Sequence, residues 1–122
     1  MIIPIKIRYV LAVLWTAFIV FSLLSEPSGI PKFPWLTQPG VDKLIHAILF
    51  GIEALLIVWA MSQTPFRMLL AAVLIWCFVL GGLLELAQYY WIDGRSGDWF
   101  DLLADMAGSV LAILVFIKAS KK

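Results

Sequence analysis

Charge is what this sequence lacks most. Only 14% of its 122 residues are Asp, Glu, Lys or Arg, against about 25% in soluble domains. So few polar groups cannot coat a water-soluble chain of this size. Disorder is excluded as well, because 63% of the residues are hydrophobic and the net charge is only +1. No basic stripe runs along the chain, so a nucleic-acid partner is not expected. Cysteine is nearly absent: Cys77 stands alone, which rules out a disulfide framework. There is no internal repeat and no low-complexity segment. What remains is an integral membrane protein forming a single domain over residues 1–122.

Four apolar runs supply the fold. They extend from Tyr9 to Leu24, from Leu44 to Met61, from Met68 to Leu84 with a continuation to Trp91, and from Leu102 to Ile117. Crossing a hydrocarbon core of about 30 Å takes around 20 helical residues. Each run reaches that length once interfacial residues are added. Helices are required because isolated strands would leave backbone groups unpaired in lipid. The expectation is an all-α bundle of four transmembrane helices. The first run follows Lys6 and Arg8 in the manner of a signal peptide, but no small-x-small cleavage pattern comes after it, so a retained helix is expected. Pro27 to Pro34 reads as a non-helical loop, Ser62 to Phe66 as a tight turn broken by Pro65, and Asp93 to Gly97 as a second short turn. With four alternating spans, Lys6, Arg8, Arg67, Lys118, Lys121 and Lys122 fall on one side, and Lys32, Lys43 and Arg95 on the other. That bias places both termini in the cytoplasm.

The informative residues are those that lipid should reject. A carboxylate at the membrane centre costs at least ~2.5–3.5 kcal/mol on insertion scales, yet Glu53, Glu85 and Asp105 lie in or near the spans, together with His46. At about 100° per residue, Asp42, His46 and Glu53 share an arc of roughly 40° on the second helix. Asp98, Asp101 and Asp105 share one of about 60° on the fourth. Glu85 and Gln88 sit on one face of the third. Apart from the deeper Glu53, these residues fall at the outer end of the bundle, with Arg95 in the turn above. Ala47, Gly51 and Ala54, then Gly81 and Gly82, then Ala104, Gly108 and Ala112 are small residues that let helices approach closely.

Each feature also has a plainer reading. Asp42, Asp98 and Asp101 suit helix starts. Glu85 with Arg95 suits a structural ion pair. His46 suits a core imidazole hydrogen-bonded to Glu85, and Glu53 an interhelical tether. Gly81, Gly82 and Gly108 read as packing, Tyr89, Tyr90, Trp91 and Trp99 as an interfacial belt, and Cys77 as a small hydrophobe.

The stretch Asp42-Lys43-Leu44-Ile45-His46-Ala47-Ile48-Leu49-Phe50 resembles the D-K-x-x-H-x-x-x-[FY] element of the VanZ-like membrane proteins. Glu85-Leu86-Ala87-Gln88 resembles their E-x-x-Q element. Arg95 followed by Asp98, Asp101, Asp105 and Gly108 resembles R-x-x-D-x-x-D-x-x-x-[ND]-x-x-G. The three elements stand in order over about residues 39–112. One position departs: the last polar residue, most often Asn in the family, is Asp105 here, which adds a negative charge. The resemblance implies a multi-pass protein of the bacterial cytoplasmic membrane. The family's name comes from a member linked to resistance to the glycopeptide teicoplanin, so the resemblance supplies a location and a theme rather than a reaction.

Two function classes follow. In the first, the outer polar cluster binds, and in its stronger form processes, a lipid-linked or envelope-associated substrate. His46, Glu85 and Asp101 are then the candidate catalytic residues, and Lys43, Gln88, Arg95, Asp98 and Asp105 the candidate substrate-binding residues. Arg95 would grip an anionic headgroup, and His46 would carry protons. In the second class the same residues only pack the helices of a scaffold or accessory subunit. A transporter is weaker, since four short helices leave little room for a pore. His46 with several carboxylates has the chemistry for a divalent metal, but the spacing matches no recognised motif, so neither a metal nor a cofactor is expected. The partners expected are the lipid bilayer and an anionic or lipid-linked headgroup.

Overall fold

Backbone amides in lipid must be satisfied within their own segment, and the chain meets this with helices alone. The computed structural model describes residues 3–25, 40–91 and 99–120. Among them there are four helices and no strand: α1 (Ile5–Leu24), α2 (Val41–Ala60), α3 (Phe66–Trp91) and α4 (Trp99–Ser120). All four are long and apolar enough to cross a membrane. Each helix starts two to four residues before the expected run, because interfacial residues join the first turn; α1 and α3 end where expected, α2 ends one residue before Met61, and α4 runs three residues further. The loop expected at Pro27 to Pro34 and the turn at Asp93 to Gly97 lie outside the described residues.

Local chemistry sets the described boundaries. Gly40 precedes α2 with φ at 87°, a left-handed conformation that glycine adopts without a Cβ penalty. Leu44 then donates to the Gly40 carbonyl at 3.0 Å. The turn between α2 and α3 closes with Thr64 donating to Met61 O at 2.9 Å. Pro65 has no N–H to lose at a helix start, and its carbonyl accepts from Leu69 at 2.9 Å. Asp42 sits in the first turn of α2 without a side-chain capping bond. The plain reading of Asp42 as a cap is therefore not what the structure shows. Gly40 occupies the cap position, and the Asp42 side chain is turned toward its neighbours instead.

α2 is the hub. In its most apolar window 44% of residues are buried, against 17% for α1. Its most extensive partner is α4, and it also packs on α1 and α3. No packing joins α1 to α4 among the described residues, so these two flank the α2–α3 pair.

Small side chains fix how closely α2 and α4 approach. A Cβ on Gly108 would run into the backbone of Ala47, and one on Gly51 would meet the Gly108 carbonyl at 3.2 Å. Ser109 stands at the same crossing and donates to Asp105 O at 2.9 Å and to Phe50 O at 3.4 Å. The rows of small residues on α2 and α4 thus mark the tightest seam of the bundle. The pair on α3 divides. Gly81 faces Asp105 and Leu102 of α4, whereas a Cβ on Gly82 would meet nothing within 4 Å. Gly82 is therefore not a close-packing glycine: it borders a groove shared with Trp99 and Leu102 of α4. Beneath the seam lies an apolar core around Ile19, Phe50, Val73 and Cys77. Val13, Phe21, Leu83 and Val115 project outward at 60% exposure or more, as lipid-facing residues do. Tyr89, Tyr90, Trp91 and Trp99 are exposed at one end, in keeping with an interfacial belt.

The opposite end is tied by Arg8. Its Nη1 donates to Trp59 O at 3.2 Å and to Ser62 Oγ at 3.3 Å. Its guanidinium lies 5.0 Å from the Trp59 ring centroid.

Candidate functional site

At the end where α2 and α4 begin, the close α2–α4 seam brings their polar faces together. His46 is one turn into α2 and only 1% exposed. Its Nδ1 lies 2.8 Å from Oδ1 of Asp105, which is equally buried. An ionised carboxylate accepts only, so Nδ1 carries the proton in this pairing. A neutral imidazole then holds its lone pair on Nε2. That nitrogen faces Oδ2 of Asp101 at 3.5 Å and Oδ1 of Asp42 at 3.9 Å. Lys43 Nζ lies 2.7 Å from Oδ1 of Asp101 and 3.6 Å from Oδ2 of Asp42. Asp42 and Lys43 have side chains 55% and 37% exposed, so the cluster opens to the bundle surface on their side.

Five residues from two helices thus meet: Asp42, Lys43 and His46 from α2, and Asp101 and Asp105 from α4. The partner of His46 differs from the one read off the sequence. Asp105 of α4 holds the ring, not Glu85 of α3, because the Gly108–Ala47 crossing brings α4 closest to this part of α2.

Gln88 is placed elsewhere. It is buried, and its Nε2 donates to Leu23 O of α1 at 2.6 Å, so it ties α3 to α1. Glu85 is buried one turn beyond Gly81, the residue that faces Asp105. It lines a cavity of about 250 Å³ with Leu86, Tyr89, Tyr90 and Trp99, at the end where α3 finishes and α4 starts. Arg95 and Asp98, the other two candidates, lie outside the described residues.

Glu53 occupies a second polar site, two turns deeper on α2. It is fully buried, and its Oε1 accepts from Thr16 Oγ1 of α1 at 2.5 Å and from Trp76 Nε1 of α3 at 2.9 Å. Its Oε2 has no hydrogen-bond partner among the described residues. Sequence reading marked Glu53 but not Thr16 or Trp76. A hydroxyl and an indole N–H inside apolar runs were the available signal, since both seek an acceptor in lipid.

The family model described as VanZ/LLP1 matches residues 3–120. The chain belongs to the VanZ/LLP1 family. A VanZ/LLP1 protein with four membrane-spanning helices is a multi-pass membrane protein. Uncharacterized protein C11E3.10 of Schizosaccharomyces pombe (strain 972 / ATCC 24843) is 30% identical over 105 residues, which is 86% of this chain. The chain spans 63% of that relative's length. No solved structure matches the chain.

Proposed function

We propose that this VanZ/LLP1 protein binds a lipid-linked substrate with an anionic headgroup at the membrane surface and sets the His46 imidazole against it for proton transfer. The observation that carries this reading is the imidazole itself. It is buried, anchored through Nδ1 by Asp105 at 2.8 Å, and turns Nε2 toward the side where Asp42 and Lys43 reach solvent. Asp105 fixes the ring orientation, so Nε2 can take or return a proton without reorienting. Lys43 and, from the sequence, Arg95 supply positive charge for the headgroup. The Glu85 cavity lies at the same end and offers apolar and aromatic surface for a chain next to the headgroup. In this reading the membrane is the bacterial cytoplasmic membrane, the termini are cytoplasmic by the distribution of basic residues, and the cluster faces the cell envelope. A contribution to teicoplanin resistance belongs to the same proposal and is read by glycopeptide susceptibility of cells with and without the protein.

The test is binding of a polyprenyl phosphate, with the neutral polyprenol as control, to protein in lipid nanodiscs. Lys43→Gln and Lys43→Ala are expected to weaken phosphate binding about tenfold or more, the size of one charge-assisted hydrogen bond, while the melting temperature stays close to that of the parent. Equal binding of phosphate and alcohol, or variants that bind like the parent, overturns the proposal.

A scaffold reading has its own support. Gln88 on Leu23 O, and Glu53 between Thr16 and Trp76, are helix-to-helix ties made by buried side chains. If the Lys43 variants lose melting temperature while the folded fraction binds phosphate normally, the cluster serves packing.

A further inference from the structure

We propose that Asp42, His46 and Asp101 hold one divalent transition-metal cation, Zn²⁺ or Mn²⁺, at the surface end of the α2–α4 seam. The inference deepens the proposed function and rests on its cluster, because the cation would be the group that receives an anionic headgroup.

The argument starts from Nε2 of His46. The imidazole is 99% buried by its 1% exposure, and among the described residues no hydrogen bond reaches this nitrogen. It is aimed at two carboxylate oxygens, Asp101 Oδ2 at 3.5 Å and Asp42 Oδ1 at 3.9 Å, and the three donor atoms lie within 4.8 Å of one another. Zinc bound to nitrogen and oxygen at about 2.0–2.2 Å in tetrahedral geometry sets neighbouring donors roughly 3.4 Å apart. The first distance already meets that spacing. The second closes with a small rotation of Asp42, whose side chain is half exposed and free to turn.

The surroundings support the same ion. Lys43 lies against Oδ1 of Asp101 and nearer Oδ2 of Asp42, which leaves the other oxygen of each aspartate turned to Nε2. Asp105 accepts a hydrogen bond from Nδ1–H, the arrangement that fixes the tautomer and raises the basicity of a metal-binding histidine. Three carboxylates face one lysine among these residues, an excess of negative charge that repels an anionic headgroup and suits a divalent cation. An imidazole favours a transition metal over Mg²⁺ or Ca²⁺. Three protein ligands leave a fourth position, on the open Asp42 side, for water or a phosphate oxygen. In the ion-loaded protein the Nε2 lone pair is committed to the cation and His46 serves as ligand; proton transfer by His46 belongs to the ion-free protein. The linear spacing hides this set, because Asp101 comes from a helix more than fifty residues along the chain.

The experiment uses the whole chain without an affinity tag, stripped with chelator in detergent. Zn²⁺ uptake is followed by calorimetry and Mn²⁺ by electron paramagnetic resonance. One saturable ion per chain is expected. Asp42→Asn, a half-exposed change that leaves the fold intact, should weaken binding about tenfold, the low end of the range seen when even an outer partner is lost. Asp105→Asn, which touches no ion, should weaken it about ten- to a hundredfold. Glu53→Gln should not change it. No saturable uptake of either ion, or uptake indifferent to Asp42→Asn and Asp105→Asn, overturns the site. Polyprenyl phosphate binding is measured in parallel with and without chelator. Ion uptake without phosphate binding leaves the metal site standing and removes the proposed substrate. Phosphate binding unaffected by chelator in protein that takes up no ion does the reverse.

Discussion

Two buried acidic sites sit on one face of α2, and they are solved in opposite ways. At the end of the helix, His46 meets Asp105, Asp101, Asp42 and Lys43, a set of titratable groups with a side open to the surface. Two turns deeper, Glu53 meets only the neutral donors Thr16 and Trp76 and forms no ion pair among the described residues. The first site joins α2 to α4, and the second joins α2 to α1 and α3. Hydrocarbon makes unpaired charge expensive, so the deep site uses hydroxyl and indole hydrogen bonds that tether helices. The surface site concentrates groups able to exchange protons or ions with what lies outside. Under the proposed function, the same residue class serves adhesion in one place and chemistry in the other.

The contrast breaks most severely at Gly108. Gly108→Leu places a side chain in the Ala47 backbone, and overpacking of this kind costs about 1–3 kcal/mol or more. Separation of α2 from α4 should follow, with loss of monodisperse protein in size-exclusion chromatography, while the Glu53 bonds to Thr16 of α1 and Trp76 of α3 do not involve α4. Next comes Asp105→Ala, which removes the acceptor for His46 Nδ1. A charge-assisted hydrogen bond is worth about 1.5–3 kcal/mol, so thermal melting in detergent should fall clearly. A double-mutant cycle with His46→Ala should be strongly non-additive, because both changes delete one interaction.

Glu53 sharpens the comparison from the other side. Glu53→Gln keeps an oxygen to accept from Thr16 and Trp76 and should melt close to the parent. Glu53→Leu loses both bonds, at an average near 0.6 kcal/mol each for such interhelical bonds, and should melt lower. If Glu53→Gln were as damaging as Asp105→Ala, the distinction between the two sites would fail. The smallest effect belongs to Gly82→Ala. It meets open space, removes a helix-weakening glycine and should stabilise α3 by up to about 1 kcal/mol. At Gly81 the added Cβ would lie 2.7 Å from Asp105 Oδ2, so the same substitution one residue earlier should destabilise instead.

Much of this arrangement is legible in the residues. Helical periodicity shows that His46 and Glu53 share a face, as do Asp101 and Asp105, and apolar run length shows how many times the chain crosses. Periodicity fails at the question of partners. A helical wheel assigns a direction around one axis but does not say which neighbour lies there. Glu85 and Gln88 are three residues apart on α3, yet Gln88 bonds to α1 while Glu85 lines a cavity shared with α4. Glu53 shares the arc of His46 but faces different helices, because α2 crosses its neighbours at an angle and what lies opposite changes with depth.

Composition and apolar run length by themselves determined that this chain is a four-helix membrane bundle with costly polar residues on particular helix faces, since the lipid environment imposes both constraints one segment at a time. Only the tertiary structure decided that His46 belongs to Asp105 and faces Asp101, and that Glu53 belongs to Thr16 and Trp76. Those pairings depend on where helices cross, and the crossing is set by contacts such as Gly108 on Ala47, sixty-one residues apart in the chain.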